Sequence, residues 1–299
     1  MLARYKYHIL LHFIIFLWGF TGILGKLIQL EALYIVWYRV GIASLVILLY
    51  LVLVKSSLSI SKKYLLRISF VGLVVAAHWV TFYTSIQWST ASLGILCLST
   101  TTLHVAWLEP LIMKKRFSWL EFTLGLLVVG GIYFVSDDFS SQEYWALLMG
   151  LISAFLAAFF AVSNAKLVQD VPSTHISMYE LGVGFIGLTI FLLATNKLDL
   201  AMFSMSLSDL LWLIFLAVVC TSFAFLVTID IVKRLGAFTV SLSINLEPVY
   251  TIILAIFILN EHEQLGSNFY VGSLLIILVV IANGVIKNQQ KKRTVRSLH

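Results

Sequence analysis

The sequence predicts an all-α membrane protein of ten transmembrane helices arranged as two inverted five-helix repeats. Of its 299 residues, 61% are hydrophobic and only 11% are charged, whereas charged residues make up about 25% of a typical soluble domain. The apolar residues form long runs, and a run of roughly 20 helical residues crosses a hydrocarbon core of about 30 Å. In addition, motifs of the first half recur in the same order in the second half.

Ten apolar runs are predicted to cross the membrane. In chain order they are 8–28, 33–54, 65–88, 91–113, 119–135, 145–167, 176–194, 210–231, 237–259 and 269–286. The longest connections, around 55–64 and 196–209, are rich in serine and too short to hold a soluble domain. The chain is therefore predicted to be a single membrane domain, 1–299, in which 1–140 and 141–299 are the two repeats.

The distribution of charge predicts the orientation. If the N-terminus is cytoplasmic, the inner segments hold Arg4, Lys6, Lys55, Lys62, Lys63, Arg67, Lys114, Lys115, Arg116, Lys166, Lys233, Arg234, Lys287, Lys291, Lys292, Arg293 and Arg296. Lys26 and Lys197 fall outside, together with several acidic residues. The excess of inner cations predicts a protein of the cytoplasmic (inner) membrane with both termini in the cytoplasm. Because the basic residues form short clusters between apolar runs, the net charge of +6 does not indicate nucleic-acid binding.

The two halves correspond most clearly in their first two crossings. Lys26 ends the first crossing and Arg39 opens the second, while Lys166 ends the sixth and Glu180 opens the seventh. The offsets agree, since 166 minus 26 is 140 and 180 minus 39 is 141. With five crossings per half, the second copy enters the membrane from the opposite face. Secondary transporters with this architecture bind substrate near the bilayer midplane, at the interface of the repeats.

The ninth crossing contains an interruption, Asn245-Leu246-Glu247-Pro248. Proline removes a backbone N–H and disturbs the preceding helical turn. A charge at a helix centre costs roughly 2.5 to 3.5 kcal/mol on insertion scales, so Glu247 and the broken backbone should face a protein-lined or watery cavity. The alternative is a packing kink with a protonated glutamate, and both interpretations stay open.

Several motifs resemble the drug/metabolite transporter superfamily, specifically its EamA-type exporters. They are Trp18-Gly19, Lys26, Trp37-Tyr38-Arg39, Leu246-Glu247-Pro248-Val249 and Asn260-Glu261. The resemblance covers essentially the whole chain and implies export of small metabolites, such as amino acids, or of drugs. Thr102 stands where the family often has proline, and Lys115 where it often has the glutamate represented by Glu261. These departures predict that the two halves are not equivalent at the site.

Polar and aromatic side chains within the apolar runs are the candidates for a substrate cavity, because ligand pockets combine apolar walls with a few polar groups. The predicted substrate-binding residues are Trp18, His78, Trp79, Tyr83, Thr101, His104, Asn164, Ser222, Asn245, Glu247 and Tyr250. Serine and threonine can instead bond the carbonyls of their own helix, and polar side chains can join neighbouring helices. A purely structural role therefore stays open for each of them.

The residues predicted to couple or gate transport are Arg39, Glu180, Glu247 and Pro248. Arg39 lies near the outer face and Glu180 near the inner face, roughly 15 Å apart in depth, so no direct salt bridge between them is predicted. Glu180 is expected either to meet Lys166 or the basic cluster 114–116, or to lie at a solvated helix end. Arg39 and Glu247 differ in depth by about 6 Å, which predicts that the arginine side chain can reach toward the carboxylate.

Enzymatic signatures are weak in this sequence. Residues 182–187 fit G-x-G-x-x-G, but they lie inside a predicted crossing with no preceding strand. Metalloprotease, nucleophile-elbow, C-x-x-C and Walker A motifs are absent from the sequence. We expect a transporter without cofactor, catalytic residue or metal, whose partners are a small-molecule substrate and the lipid bilayer. A homodimer stays open, as do a channel-like pore and, less favoured, an intramembrane enzyme.

Overall fold

A computed structural model of the chain describes residues 2–136, 139–198, 200–235, 240, 243–244 and 246–296. These residues are mostly helical and form no β-strand. The helices of the first half are α1 (Leu2–Leu27), α2 (Ala32–Leu53), α3 (Lys62–Trp88), α4 (Ala91–Ser99), α5 (Thr101–Met113) and α6 (Trp119–Val135). Those of the second half are α7 (Ser141–Leu167), α8 (Ser173–Ala194), α9 (Leu207–Ile214), α10 (Ala224–Leu235), α11 (Glu247–Ile258) and α12 (Ser267–Arg296).

In the described part of the chain, eight helical stretches are long and apolar enough to cross a membrane. One of them, Ala91–Met113, combines α4 and α5. The apolar helices α6 and α11 are shorter than a full crossing. Large apolar side chains are strongly exposed on the outside of the bundle, among them Leu66 at 75% and Phe257 at 79%. Such a surface suits lipid, so the chain is a multi-pass membrane protein.

The fourth predicted crossing, 91–113, is divided at Thr100, a division that was not predicted from the sequence. Hydroxyl groups explain the division, because they bond carbonyls within one turn. Thr100 Oγ1 donates to the Cys97 carbonyl, and Thr102 Oγ1 donates to the Ser99 carbonyl. Consecutive hydroxyl residues therefore interrupt α4–α5 at a place where proline is absent.

The eighth predicted crossing also differs from a regular α-helix. Residues Phe215–Phe223, between α9 and α10, form a π-helix. Two side chains fit this wider turn, since Thr221 Oγ1 donates to the Leu216 carbonyl and Ser222 Oγ to the Ala217 carbonyl. A π-helical stretch within an α-helix is frequent at functional sites.

The ninth predicted crossing is described only in part. Residues 236–239, 241–242 and 245 lie outside the described residues. The helix α11 begins at Glu247, directly after a turn at Leu246, and Pro248 stands in its first turn. Proline is tolerated there because the first N–H groups of a helix have no intrahelical partner. The helix is therefore broken where the sequence predicts it.

The two halves share an unusual backbone feature. In the described chain the non-glycine residues with positive φ are Lys55, Lys114, Asn196 and Asn260, at 52° to 55°. Each follows the last turn of a helix, where a left-handed residue commonly ends the helix. They form two pairs across the halves, since 196 minus 55 is 141 and 260 minus 114 is 146.

Contacts between helices and loops correspond in the same way. Tyr38 of α2 donates its hydroxyl to the Met202 carbonyl, in the connection between α8 and α9. Tyr179 of α8 donates to the Leu58 carbonyl, in the connection between α2 and α3. The tyrosines are offset by 179 minus 38, or 141, and the loop carbonyls by 202 minus 58, or 144. Each half therefore holds a loop of the other half.

Candidate functional site

Arg39 of α2 lies inside the helix bundle, with only 5% of its surface exposed. Its guanidinium carbon lies 3.8 Å from the ring centroid of Trp79 on α3. Nε donates to Thr221 Oγ1 and Nη1 donates to the Tyr83 hydroxyl, both at 3.0 Å. The π-helical turn thus places Thr221 against the arginine. A desolvated cation on an aromatic face gains about 2 kcal/mol or more.

The partners of Arg39 in these contacts are all neutral. Within the described residues, the ion pairs closer than 4 Å join Lys115 to Glu109 and Lys197 to Glu31. Glu247, at the start of α11, is half-buried and forms no ion pair with Arg39 in the described chain. The expectation that Arg39 can reach toward Glu247 stays a prediction.

Tyr250 connects α11 to α1. Its hydroxyl lies 3.0 Å from His12 Nδ1, and its ring meets Phe16 edge-on with centroids 6.3 Å apart. Trp18, two residues further along α1, is half-buried and packs against the main apolar core. Gly19 lets the helices approach closely here, because an added Cβ would lie 3.1 Å from Thr251 Oγ1. The predicted residue Tyr250 therefore belongs to the α1–α11 interface, and Trp18 to the main core.

Three predicted residues lie between α7 and its neighbours in the first half. His78 Nδ1 is 2.9 Å from both the carbonyl oxygen and the hydroxyl of Ser153. Thr101 Oγ1 donates to the Ala154 carbonyl at 3.3 Å. His104 packs its ring against Phe155, and its Nδ1 has no hydrogen-bond partner although it is buried. These contacts fit the structural interpretation that the sequence left open for these residues.

The remaining predicted residues are spread over the fold. Ser222 bonds α2 at the Ala43 carbonyl in addition to its own helix. Asn164 of α7 donates its side-chain amide to Glu180 Oε2 at 3.1 Å. Asn245 lies outside the described residues.

One expectation about Glu180 is wrong. The sequence placed this carboxylate near Lys166 or the basic cluster 114–116, but its partner is Asn164, while Lys166 Nζ donates to the Ile112 carbonyl. The depth of a residue along its predicted helix could not show that Lys166 donates its hydrogen bond to a carbonyl in the last turn of α5. Arg39 and Glu180 form no salt bridge in the described chain, which agrees with the prediction from their depths.

The sequence also missed a carboxylate that joins two elements. Glu261 follows α11 and is only 2% exposed. Its Oε1 accepts the Ala91 N–H at 2.7 Å and its Oε2 accepts the Ser92 N–H at 3.1 Å. These are free N–H groups of the first turn of α4, where a negative charge is favourable. Asn260-Glu261 was visible as a motif, but no sequence signal identifies the helix that the carboxylate caps.

Next to this cap, Lys26 at the end of α1 donates to the carbonyls of Gln87 and Ser89. A cavity of about 330 Å³ lies at the same end of the bundle. It is bounded by the connections between α3 and α4, α6 and α7, and α11 and α12. Because none of the predicted substrate-binding residues lines it, this cavity is distinct from the interior around Arg39.

In the comparison with known proteins, the two halves of the chain match one family model separately. The model of the EamA-like transporter family matches residues 6–137 and again residues 144–284. An uncharacterized transporter of Archaeoglobus fulgidus is 23% identical over 266 residues, which are 87% of this chain and 91% of that protein. A crystal structure of a protein 14% identical in sequence aligns with a TM-score of 0.65, covering 93% of this chain and 96% of the other. That structural likeness shows the fold alone.

Proposed function

The chain belongs to the EamA-like transporter family, and on that premise we propose that it is a secondary transporter that exports small organic solutes by alternating access. The observation that carries the proposal is Arg39, a buried cation whose contacts are with the neutral groups of Trp79, Tyr83 and Thr221. A guanidinium has five N–H donors in a fixed fork that suits a carboxylate. Two of its nitrogens hold protein groups here, which leaves donors for a solute.

The charges around this site favour a substrate that carries both signs. Arg39 would bind the anionic group of the solute, and Glu247, at the start of α11, would meet a cationic group or a proton. Trp79 supplies an aromatic wall beside the arginine. These groups together suit an amino-acid-like solute, in which a carboxylate and an ammonium lie a few ångströms apart.

We propose further that the chain forms ten crossings in two inverted repeats, 1–140 and 141–299. Support comes from the two matches to one family model, 6–137 and 144–284. The paired positive-φ residues and the paired tyrosine contacts support it independently. In such repeats the site forms at the interface, and one repeat moves against the other around it.

The proposed orientation places both termini in the cytoplasm, in the cytoplasmic (inner) membrane, because most cations lie on one side of the predicted crossings. Single cysteines at Gln142 and Lys197 should react with an impermeant maleimide added to intact cells, whereas a cysteine at Ser59 should react only after permeabilisation. The native cysteines are buried and give little background. Reversed labelling would contradict this orientation.

The test of function is untargeted metabolite profiling of the medium from cells with and without the protein. We expect at least one small zwitterionic or anionic solute to accumulate outside cells that carry it. Arg39→Ala should abolish the accumulation, and Arg39→Lys should reduce it, because lysine keeps the charge but not the planar fork. Arg67→Ala is the matched control, since Arg67 is exposed and its loss should change nothing.

Two results would contradict the proposal. Identical media with and without the protein would argue against export. Efflux that increases without saturation as the internal concentration rises would indicate a channel-like pore instead of alternating access. Glu247→Gln tests the second charge, because parent-like transport by this variant would make Glu247 a packing residue.

A further inference from the structure

Glu180 is a buried carboxyl group with an incomplete set of partners. It lies in the second turn of α8 and is 4% exposed. Oε2 accepts the hydrogen bond from Asn164, whereas Oε1 is buried without a hydrogen-bond partner. Asn164 Oδ1 is likewise buried without a donor. Two neighbouring side chains, already joined by one hydrogen bond, thus each present an acceptor oxygen that lacks a proton donor.

No cation within the described residues balances this carboxyl group by contact. On α3, Lys62, Lys63 and Arg67 are exposed, and His78 is bound to Ser153. The ionisable groups of the other elements around it are also engaged elsewhere. They are Arg39 of α2, held by Tyr83 and Thr221; Lys166 of α7, held by the Ile112 carbonyl; and His175 and Tyr179 of α8, which bond the Ser57 and Leu58 carbonyls.

An ionised carboxylate in these surroundings would be a buried, uncompensated charge, and such groups normally neutralise instead. A proton on Oε1 resolves the problem, because it removes the charge and converts an orphaned acceptor into an O–H donor. A metal cation suits the site less well. Hard cations such as Ca²⁺ and Mg²⁺ take about six or more oxygen ligands, and the described residues contain no cluster of three or more His, Cys, Asp or Glu side chains.

We propose that Glu180, held by Asn164, is a proton-binding site that carries a proton in the conformation seen here. The proton joins Oε1 from water and leaves to water when the bundle opens at that end of α8. The proposal rests on the proposed transport function only for its role, in which the proton is the coupled ion. Its chemistry stands on the burial and hydrogen bonding of one side chain.

A packing contact connects this site to Arg39. The backbones of α3 and α8 touch at Gly72, where an added Cβ would lie 2.5 Å from the Glu180 carbonyl oxygen. Trp79, whose ring lies against the guanidinium of Arg39, is on the same helix as Gly72. The two residues are separated by 79 minus 72, or 7, positions, which is about two helical turns. A shift of α3 against α8 on loss of the proton would therefore move one wall of the Arg39 site.

The test is infrared difference spectroscopy of the purified protein in lipid, with the proton itself as ligand and no solute added. A protonated carboxyl group has a C=O stretching band well separated from the bands of an ionised carboxylate. At neutral pH, Glu180→Gln should lose the intensity of one protonated carboxyl group, and in the parent that intensity should disappear at higher pH. Glu109→Gln is the control, because Glu109 is paired with Lys115 and its replacement should remove only ionised-carboxylate intensity.

Glu180→Gln could fail to fold, so Asn164→Leu provides a second measurement. It removes the hydrogen bond to Oε2 and should shift the protonated band without abolishing it. Loss of ionised intensity in Glu180→Gln, or an unshifted protonated band in Asn164→Leu, would overturn the proposal. Replacement of the protonated band by an ionised one on adding sodium would also overturn it, in favour of a cation site. Because no solute is present, failure here leaves the proposed export function untouched, and absence of export leaves this result untouched.

Discussion

Replacing Glu261 with alanine should destabilise the fold more than most single changes. The carboxylate accepts the N–H groups of Ala91 and Ser92 and is almost completely buried. Hydrogen bonds to charged groups contribute roughly 1.5 to 3 kcal/mol each, and a charge at a helix terminus adds up to about 2 kcal/mol in partly buried geometries. Since these terms overlap, we expect a loss of about 3 to 5 kcal/mol. At about 2 to 4 °C per kcal/mol, the melting temperature should fall by roughly 10 °C.

Thermal unfolding of the purified protein in detergent, followed by tryptophan fluorescence, measures this fall. Glu263→Ala is the matched control, because Glu263 lies in the same short turn but is exposed, and surface changes stay within about 0.5 kcal/mol. The melting temperature of Glu261→Gln should lie between those of Glu261→Ala and the parent. The glutamine carbonyl can accept one of the two N–H groups, whereas its NH₂ group cannot accept the other. If Glu261→Ala melts at the same temperature as Glu263→Ala, the cap does not stabilise α4 and the reasoning is refuted.

Three further predictions concern packing and the links between the halves. Gly72→Ala should lower the free energy of unfolding by about 1 to 3 kcal/mol, because the added Cβ forces α3 away from α8. Gly182→Ala, which has open space around it, should raise that free energy by up to about 1 kcal/mol through better helix propensity. Equal melting temperatures of the two variants would contradict this. Tyr38→Phe and Tyr179→Phe should each lower the free energy of unfolding by about 1 kcal/mol, because each removes one hydrogen bond to a loop carbonyl. A denaturation midpoint equal to that of the parent would argue against these links. Cys220, at 0% exposure, should resist a permeant maleimide until the protein melts, as mass spectrometry would detect, and labelling of the native protein would contradict the packing.

The helical membrane architecture could be predicted because it depends on composition and on the length of apolar runs. The helix break before α11 could also be predicted, because proline disturbs a helix locally and is visible in the sequence. The break at Thr100 was not predicted, although Ser99 and Thr100 begin a run of four hydroxyl residues. Whether hydroxyls bond carbonyls within one turn depends on the packing around them, which a single sequence does not show.

The sequence drew attention to single residues where one residue type dictates the chemistry, and their roles in a site stay predictions. Arg39 was identified because a buried arginine within an apolar run needs an explanation, and the structure places Trp79 and Tyr83 against it. Thr221 was missed although its neighbour Ser222 was selected. The π-helical register turns Thr221 toward the arginine. A π-helix differs from an α-helix in its i→i+5 hydrogen bonds, and this difference is not visible in the hydropathy of the sequence.

The contacts between loops and opposite helices affect how the protein is made. The Leu58 carbonyl, in the first half, is held by Tyr179, 121 residues later in the chain. As the first half leaves the ribosome, the Leu58 carbonyl therefore lacks this hydrogen bond until α8 has been synthesised and inserted. The reciprocal contact of Tyr38 with the Met202 carbonyl closes only after that. Each contact joins one half to the other, so both form late in assembly, and a polypeptide released after α6 would lack the hydrogen bond from Tyr179 at that connection.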